Sequence, residues 1–148
     1  MVNPYQAPRW LAGQGVWGGN IQTIWPALFS RATAEVPAPQ IRFDRERWSC
    51  PDGDFIDLDF LAESTPGLQQ EQPLLVLFHG LEGSSQSHYA QAFAHWAQAR
   101  GWAYVVPHFR GCSGEVNWRP RAYHSGDHEE IDWILRRLKA QHVGPVLA

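Results

Sequence analysis

The chain has 148 residues, 44% of them apolar, and a formal charge of −3. That is enough apolar material for a buried core, and its twelve Lys and Arg residues are scattered instead of striped, so neither a disordered tail nor a nucleic-acid partner is expected. Cys50 and Cys112 lie in separate segments without CxxC spacing, which excludes a disulfide framework or a zinc knuckle and leaves two free thiols. The start lacks the apolar h-region of a leader, and no run approaches the ~18 apolar residues of a membrane span. A soluble, cytoplasmic protein without metal or cofactor is the expectation.

Residues 1–40 are rich in Trp, Gly and Pro without a helical or strand period, and read as an irregular arm preceding a core domain over 41–148. Residues 41–49 and 55–61 alternate apolar and polar around Pro51-Asp52-Gly53-Asp54, the pattern of a hairpin of half-exposed strands. A polar loop over 63–72 follows, then five apolar residues in a row, Leu74 to Phe78. Such a run, too short for a helix, suits a parallel strand covered on both faces. The spacing predicts a helix over 87–100 that buries Tyr89, Phe93, Trp96 and Ala97, capped by Ser85 or Ser87 and stopped by Gly101. Residues 102–106 form a second short apolar strand, so strand, helix and strand make a right-handed parallel βαβ unit. Residues 127–141 carry Ile131, Ile134, Leu135 and Leu138 at i, i+3, i+4 and i+7, with Asp127 and Glu130 placed as a capping box. A further strand begins at Gly144-Pro145.

The apolar run opens into His79-Gly80-Leu81-Glu82-Gly83. Glycines at 80 and 83 permit backbone angles closed to other residues, so that main-chain N–H groups can turn toward a ligand and hold an oxyanion. His79-Gly80-Leu81 resembles the loop after the third strand of the α/β-hydrolases. Further on, 107–115 (PHFRGCSGE), Asn117, Tyr123-His124-Ser125-Gly126-Asp127 and Gly19-Asn20-Ile21-Gln22-Thr23-Ile24-Trp25-Pro26 are similar, in order, to the YheT-type branch of that superfamily, a group of esterases and acylglycerol or phospholipid hydrolases.

The resemblance implies the opening portion of an α/β-hydrolase fold, with the strand from Pro145 paired beside Leu74–Phe78. It implies acyl transfer by a Ser-His-Asp triad, and an oxyanion hole to which Leu81 gives its backbone N–H. His79 is read as packing and hydrogen-bonding beneath that loop, and Arg110, Asn117 and His124 as bracing neighbouring loops through backbone carbonyls. No G-x-S-x-G occurs in the 148 residues, and Gly111-Cys112-Ser113-Gly114 has the wrong spacing, so the chain is read as an N-terminal fragment whose triad lies beyond residue 148. An ester or lipid substrate is implied for the longer parent. The isolated fragment is expected to be inactive and to self-associate, and the alternative is a non-catalytic folding or interaction piece. His124 and His128 beside Asp127 are not read as a metal site, because Gly126 and the helix start separate them.

Overall fold

A computed structural model describes residues 41–62, 71–81, 83–124 and 126–148. The expected arm over 1–40, with its signature at Gly19–Pro26, lies outside the described residues, as does most of the polar loop. The described residues fall in one compact unit, Pro39–Ala148.

Five strands form one sheet in the order β1-β2-β4-β3-β5. β1 (Phe43–Ser49) and β2 (Phe55–Leu61) make the expected antiparallel hairpin, with Phe43 opposite Leu61 and Ser49 opposite Phe55. β3 (Leu74–Val76) runs parallel to β4 (Ala103–Pro107), and β2 joins the two halves by pairing antiparallel with β4. β5 (Val146–Leu147) lies parallel along the other side of β3, the position the family resemblance assigns it. β3 is shorter than the apolar run. After one more bond, from the Leu77 N–H to the Val105 carbonyl at 2.9 Å, the chain leaves the sheet for the loop.

The two helices cover opposite faces. Helix α1 (His88–Gln98) lies over Leu61, Tyr104 and Val106, with Leu75 and Leu77 packed alongside. Helix α2 (His128–Gln141) sets Ile134 and Leu138 among Ile56, Leu58, Leu74, Val76 and Val105. Alternate residues of the β3 run therefore enter opposite cores, which is why that run shows no polar alternation.

Three expectations need correction. First, α1 buries Ala90, Ala94 and Ala97, while Phe93 and Trp96 remain 45% and 38% exposed. Small side chains let the helix come close to the sheet, close enough for the Tyr104 hydroxyl to donate to the Ala90 carbonyl at 3.0 Å. Second, β2 is not half-exposed: all seven of its residues are buried, Asp57 and Asp59 included. Arg47 and Arg45 fork onto those two carboxylates from β1, Arg47 at 2.8 and 2.9 Å and Arg45 at 2.7 and 2.9 Å. Third, the capping box is not made. Asp127 occupies the N-cap without a cap hydrogen bond and pairs with Arg121, while Glu130 turns inward to Arg110.

Gly101 ends α1 as expected, at φ 64°, with the Trp102 N–H returning to the Ala97 carbonyl at 3.0 Å. Parallel strands β3 and β4 both deliver their carboxyl ends to the same edge of the sheet. The loops that follow them, 77–87 and 108–127, build the candidate site there.

Candidate functional site

His79 is buried where the loop leaves β3, at 4% exposure. Its Nε2 accepts the Phe109 N–H at 3.0 Å, so the ring proton is assigned to Nδ1, which donates to the Gly80 carbonyl at 2.8 Å. Burial is the main influence that holds the ring below the ordinary histidine pKa; the bond to Gly80 opposes it and His108 adds to it. With both nitrogens engaged, His79 is a brace and has no free position for proton transfer.

That brace sets the direction of the next amide. The Gly80 carbonyl accepts from His79 and also from the Gly83 N–H at 3.0 Å, while the Gly80 N–H donates to the Tyr89 hydroxyl at 3.1 Å. In a trans peptide the carbonyl and the following N–H point in opposite directions. Tying the Gly80 carbonyl inward therefore turns the Leu81 N–H outward, and no acceptor among the described residues takes it. The Leu81 side chain packs on little, at 89% exposure.

Leu81 lines a cavity of about 340 Å³ together with His79, Gly80 and His124. The apolar wall consists of Phe78, Phe109, Tyr123 and Ile131. Phe109 stacks on Tyr123 at 5.1 Å and 5° and on Phe78 at 5.9 Å and 29°, so the three rings form one aromatic stack. An apolar recess beside an unpaired, outward-facing amide can receive an apolar group that ends in a polarised oxygen.

The glycines act differently from the expectation. Left-handed backbone occurs at Gly53, Gly101, Gly111 and Gly114, and Gly80 does not take it. Gly83 is needed for space: a β-carbon there would overlap the Tyr89 hydroxyl and stand 3.0 Å from the β-carbon of His79.

Arg110 bonds carboxylates and not backbone carbonyls, whereas Asn117 bonds a backbone carbonyl, a backbone N–H and a carboxylate. The Arg110 Nε bonds Glu130 at 2.8 Å, and its NH1 bonds Asp52 at 2.8 Å and Asp54 at 2.9 Å. Arg110 is 5% exposed, and although burial lowers its pKa, the hydrogen bonds to Glu130 and Asp52 outweigh this and keep it above the ordinary arginine value. Asn117 donates to the Phe55 carbonyl at 2.7 Å and to Asp54 at 3.1 Å, and accepts the Gly111 N–H at 2.5 Å. Together they fix residues 108–118 to the hairpin turn and to α2. His124 is exposed; its Nδ1 accepts the Gly126 N–H at 3.1 Å, and it stands at the cavity instead of bracing a distant loop. His128 is exposed and turned to the Gly126 carbonyl at 3.0 Å. Among the described residues no group of three or more His, Cys, Asp or Glu is placed to hold a metal ion.

Sequence reasoning missed two features. One is Tyr89, assigned only to the buried side of α1. The other is a cluster on Asp59, whose carboxylate accepts from Ser85 Oγ at 2.5 Å, His108 Nε2 at 2.8 Å and Arg45 Nε at 2.7 Å. Burial raises the Asp59 pKa, but hydrogen bonds from Arg45, His108 and Ser85 outweigh it and hold the acid well below the carboxylate range. Serine, histidine and aspartate meet here without forming a triad, since the hydroxyl donates to the aspartate and not to the histidine, and Ser85 is 1% exposed. A signal was present in the sequence: in the hairpin register Arg45 stands opposite Asp59 and Arg47 opposite Asp57. Neither cysteine is placed as a nucleophile: Cys50 is buried, which pushes its thiol up to about 11, and the Cys112 sulfur faces the Arg110 carbonyl at 3.9 Å.

No protein-family model matches the chain. YheT of Escherichia coli (strain K12), an esterase by name, is 47% identical over 122 residues, which is 82% of this chain and 34% of YheT. The chain belongs to the YheT-type branch of the α/β-hydrolases. Within that superfamily, an abhydrolase domain-containing protein of Dictyostelium discoideum is 32% identical over 106 residues, 70% of this chain and 26% of the relative. Phospholipase ABHD3 of Mus musculus is 26% identical over 114 residues, 74% of this chain and 28% of the relative. The chain thus spans about a third or less of the length of these α/β-hydrolase relatives. Among solved structures, esterase Est22 with p-nitrophenol aligns at a TM-score of 0.46 and 12% identity, over 95% of this chain and 45% of that one.

Proposed function

We propose that the chain supplies the oxyanion loop and part of the acyl recess of a serine ester hydrolase, whose Ser-His-Asp triad lies outside residues 1–148. The observation that carries this reading is the Leu81 N–H, without an acceptor among the described residues and turned outward by a fully engaged Gly80 beside an apolar cavity. Such a donor, fixed in advance, stabilises the charge that develops on an ester carbonyl oxygen when a nucleophile attacks. The substrate class is a small acyl ester or lipid, for which the Phe78, Phe109 and Tyr123 surface offers an apolar seat. Two free thiols fit a reducing, cytoplasmic compartment, and among the described residues no helix is long and apolar enough to cross a membrane.

Residues 1–148 alone are expected to show no ester turnover above background, because neither the nucleophile nor a donor following it is present. Hydrolysis of a short-chain p-nitrophenyl ester by the purified chain, with a fluorophosphonate-reactive serine within it, would overturn the reading. In the polypeptide that carries the nucleophile, Leu81→Pro removes the donor and should cost ~10²–10³-fold in kcat, while Leu81→Ala keeps the N–H and should cost far less. A folded Leu81→Pro enzyme with near-normal kcat would show that Leu81 is not the donor.

A further inference from the structure

Tyr89 touches the loop at two points. Its hydroxyl accepts the Gly80 N–H at 3.1 Å, and the same oxygen stands so near Gly83 that no β-carbon fits there. Tyr89 belongs to the first turn of α1, whose Ala90, Ala94 and Ala97 pack against the sheet. The phenol is thereby mounted on a rigid element and reaches out to a loop that has left its strand. Each polar group of Gly80 is held from a different direction: His79 and the Gly83 N–H take the carbonyl, and Tyr89 takes the N–H. His79 and Tyr89 together fix the two peptide planes that flank Gly80, and the second of these planes carries the Leu81 N–H.

We infer that Tyr89 is a positioning residue for the oxyanion donor, acting through the Gly80 amide without touching the substrate. The inference rests on the serine-hydrolase reading given above. Without the hydroxyl, the 79–80 peptide loses its only described partner, and Gly80 is held through its carbonyl alone. The donor then samples directions that do not meet the developing oxyanion, so the loss falls on the transition state and not on ground-state binding.

The test uses the polypeptide that carries the nucleophile. Tyr89→Phe should lower kcat roughly three- to ten-fold, the worth of one neutral hydrogen bond, with KM within two-fold of wild type. Hydrogen exchange at the Gly80 amide should quicken by a similar factor, while the Leu77 amide, bonded to Val105 in the sheet, is unchanged. Gly83→Ala should also lower kcat, because its methyl group displaces the phenol oxygen. Adding Tyr89→Phe to Gly83→Ala removes that overlap and should recover part of the loss, whereas two unrelated structural defects would compound. Wild-type Gly80 exchange and kcat in Tyr89→Phe, or a double variant no better than Gly83→Ala, would overturn the role of Tyr89. If Leu81→Pro also left kcat unchanged, the donor assignment itself would fall; loss in Leu81→Pro with none in Tyr89→Phe removes only the present inference.

Discussion

Replacing Arg110 tests how the second loop is held. The guanidinium is 5% exposed and pairs with Glu130, Asp52 and Asp54 at once. In Arg110→Met, Asp54 keeps donors from Asn117, Phe55 and Trp118, and Asp52 is partly in solvent. Glu130 fares worst: its Oε2 already lacks a partner among the described residues, and Oε1 would lose Arg110. Removing one member of a buried ion pair costs about 3–5 kcal/mol, because the other charge stays buried and uncompensated. Against a net stability of roughly 5–15 kcal/mol this is about a fifth or more of the whole. With a urea dependence of about 1.5 kcal/mol per M, the midpoint should fall by about 2–3 M. The assay is urea unfolding at fixed protein concentration, followed by tryptophan fluorescence. Arg136→Ala is the control; its pairing with Asp132 is on the surface, its side chain is 79% exposed, and it should cost under about 0.5 kcal/mol. Adding Glu130→Met to Arg110→Met should restore at least about 1 kcal/mol by removing the stranded charge. If Arg110→Met stays within about 1 kcal/mol of wild type, or the double variant is no more stable than the single, the network does not hold the loop as described.

Three further outcomes are expected. Ala94→Leu should lower stability by about 1–3 kcal/mol through overpacking between α1 and the sheet, while Phe93→Ala on the outer face should cost under about 0.5 kcal/mol; equal effects in thermal melts would contradict the alanine face. Asp54 is raised by burial, but hydrogen bonds from Asn117 and from the Trp118 and Phe55 N–H groups, with Arg110 nearby, bring it down to about 2. A depressed carboxylate stabilises fully above its unfolded pKa near 4 and loses that contribution as pH falls through about 2, so Asp54→Asn should flatten the acid limb of stability between about pH 4 and 2. β5 is an edge strand of the described sheet with Leu147 42% exposed, so the isolated chain should elute above monomer mass in size-exclusion chromatography; a concentration-independent monomer peak would remove that expectation.

Legibility in the sequence followed the range of the interaction. The hairpin, the β3-α1-β4 unit and α2 are set by local period and by turn residues such as Gly101, and these were readable. Which face of α1 is buried was not, because hydropathy favours Phe93 and Trp96 whereas closeness to the sheet selects Ala90, Ala94 and Ala97. Asp127 and Glu130 have capping-box spacing, yet Arg121 and Arg110 take them, the latter from 20 residues away. The loop motif located Leu81, while the partner that accepts the Gly80 N–H lies on a helix whose pattern shows only an aromatic at a core-like position.

The buried aspartates of β2 also constrain the order in which the chain folds. A hairpin forming by itself would leave Asp57 and Asp59 hydrated beside Arg47 and Arg45. Their burial is completed only when Ser85, His108 and Ser113 arrive, and His108 closes a separation of 49 residues. The hairpin therefore completes the burial of its aspartates only through distant contacts, and an isolated hairpin should be a fleeting species. Amides of β1, β2 and β4 are accordingly expected to open to solvent as one cooperative unit, even though 41 residues separate the end of β2 from the start of β4 in sequence.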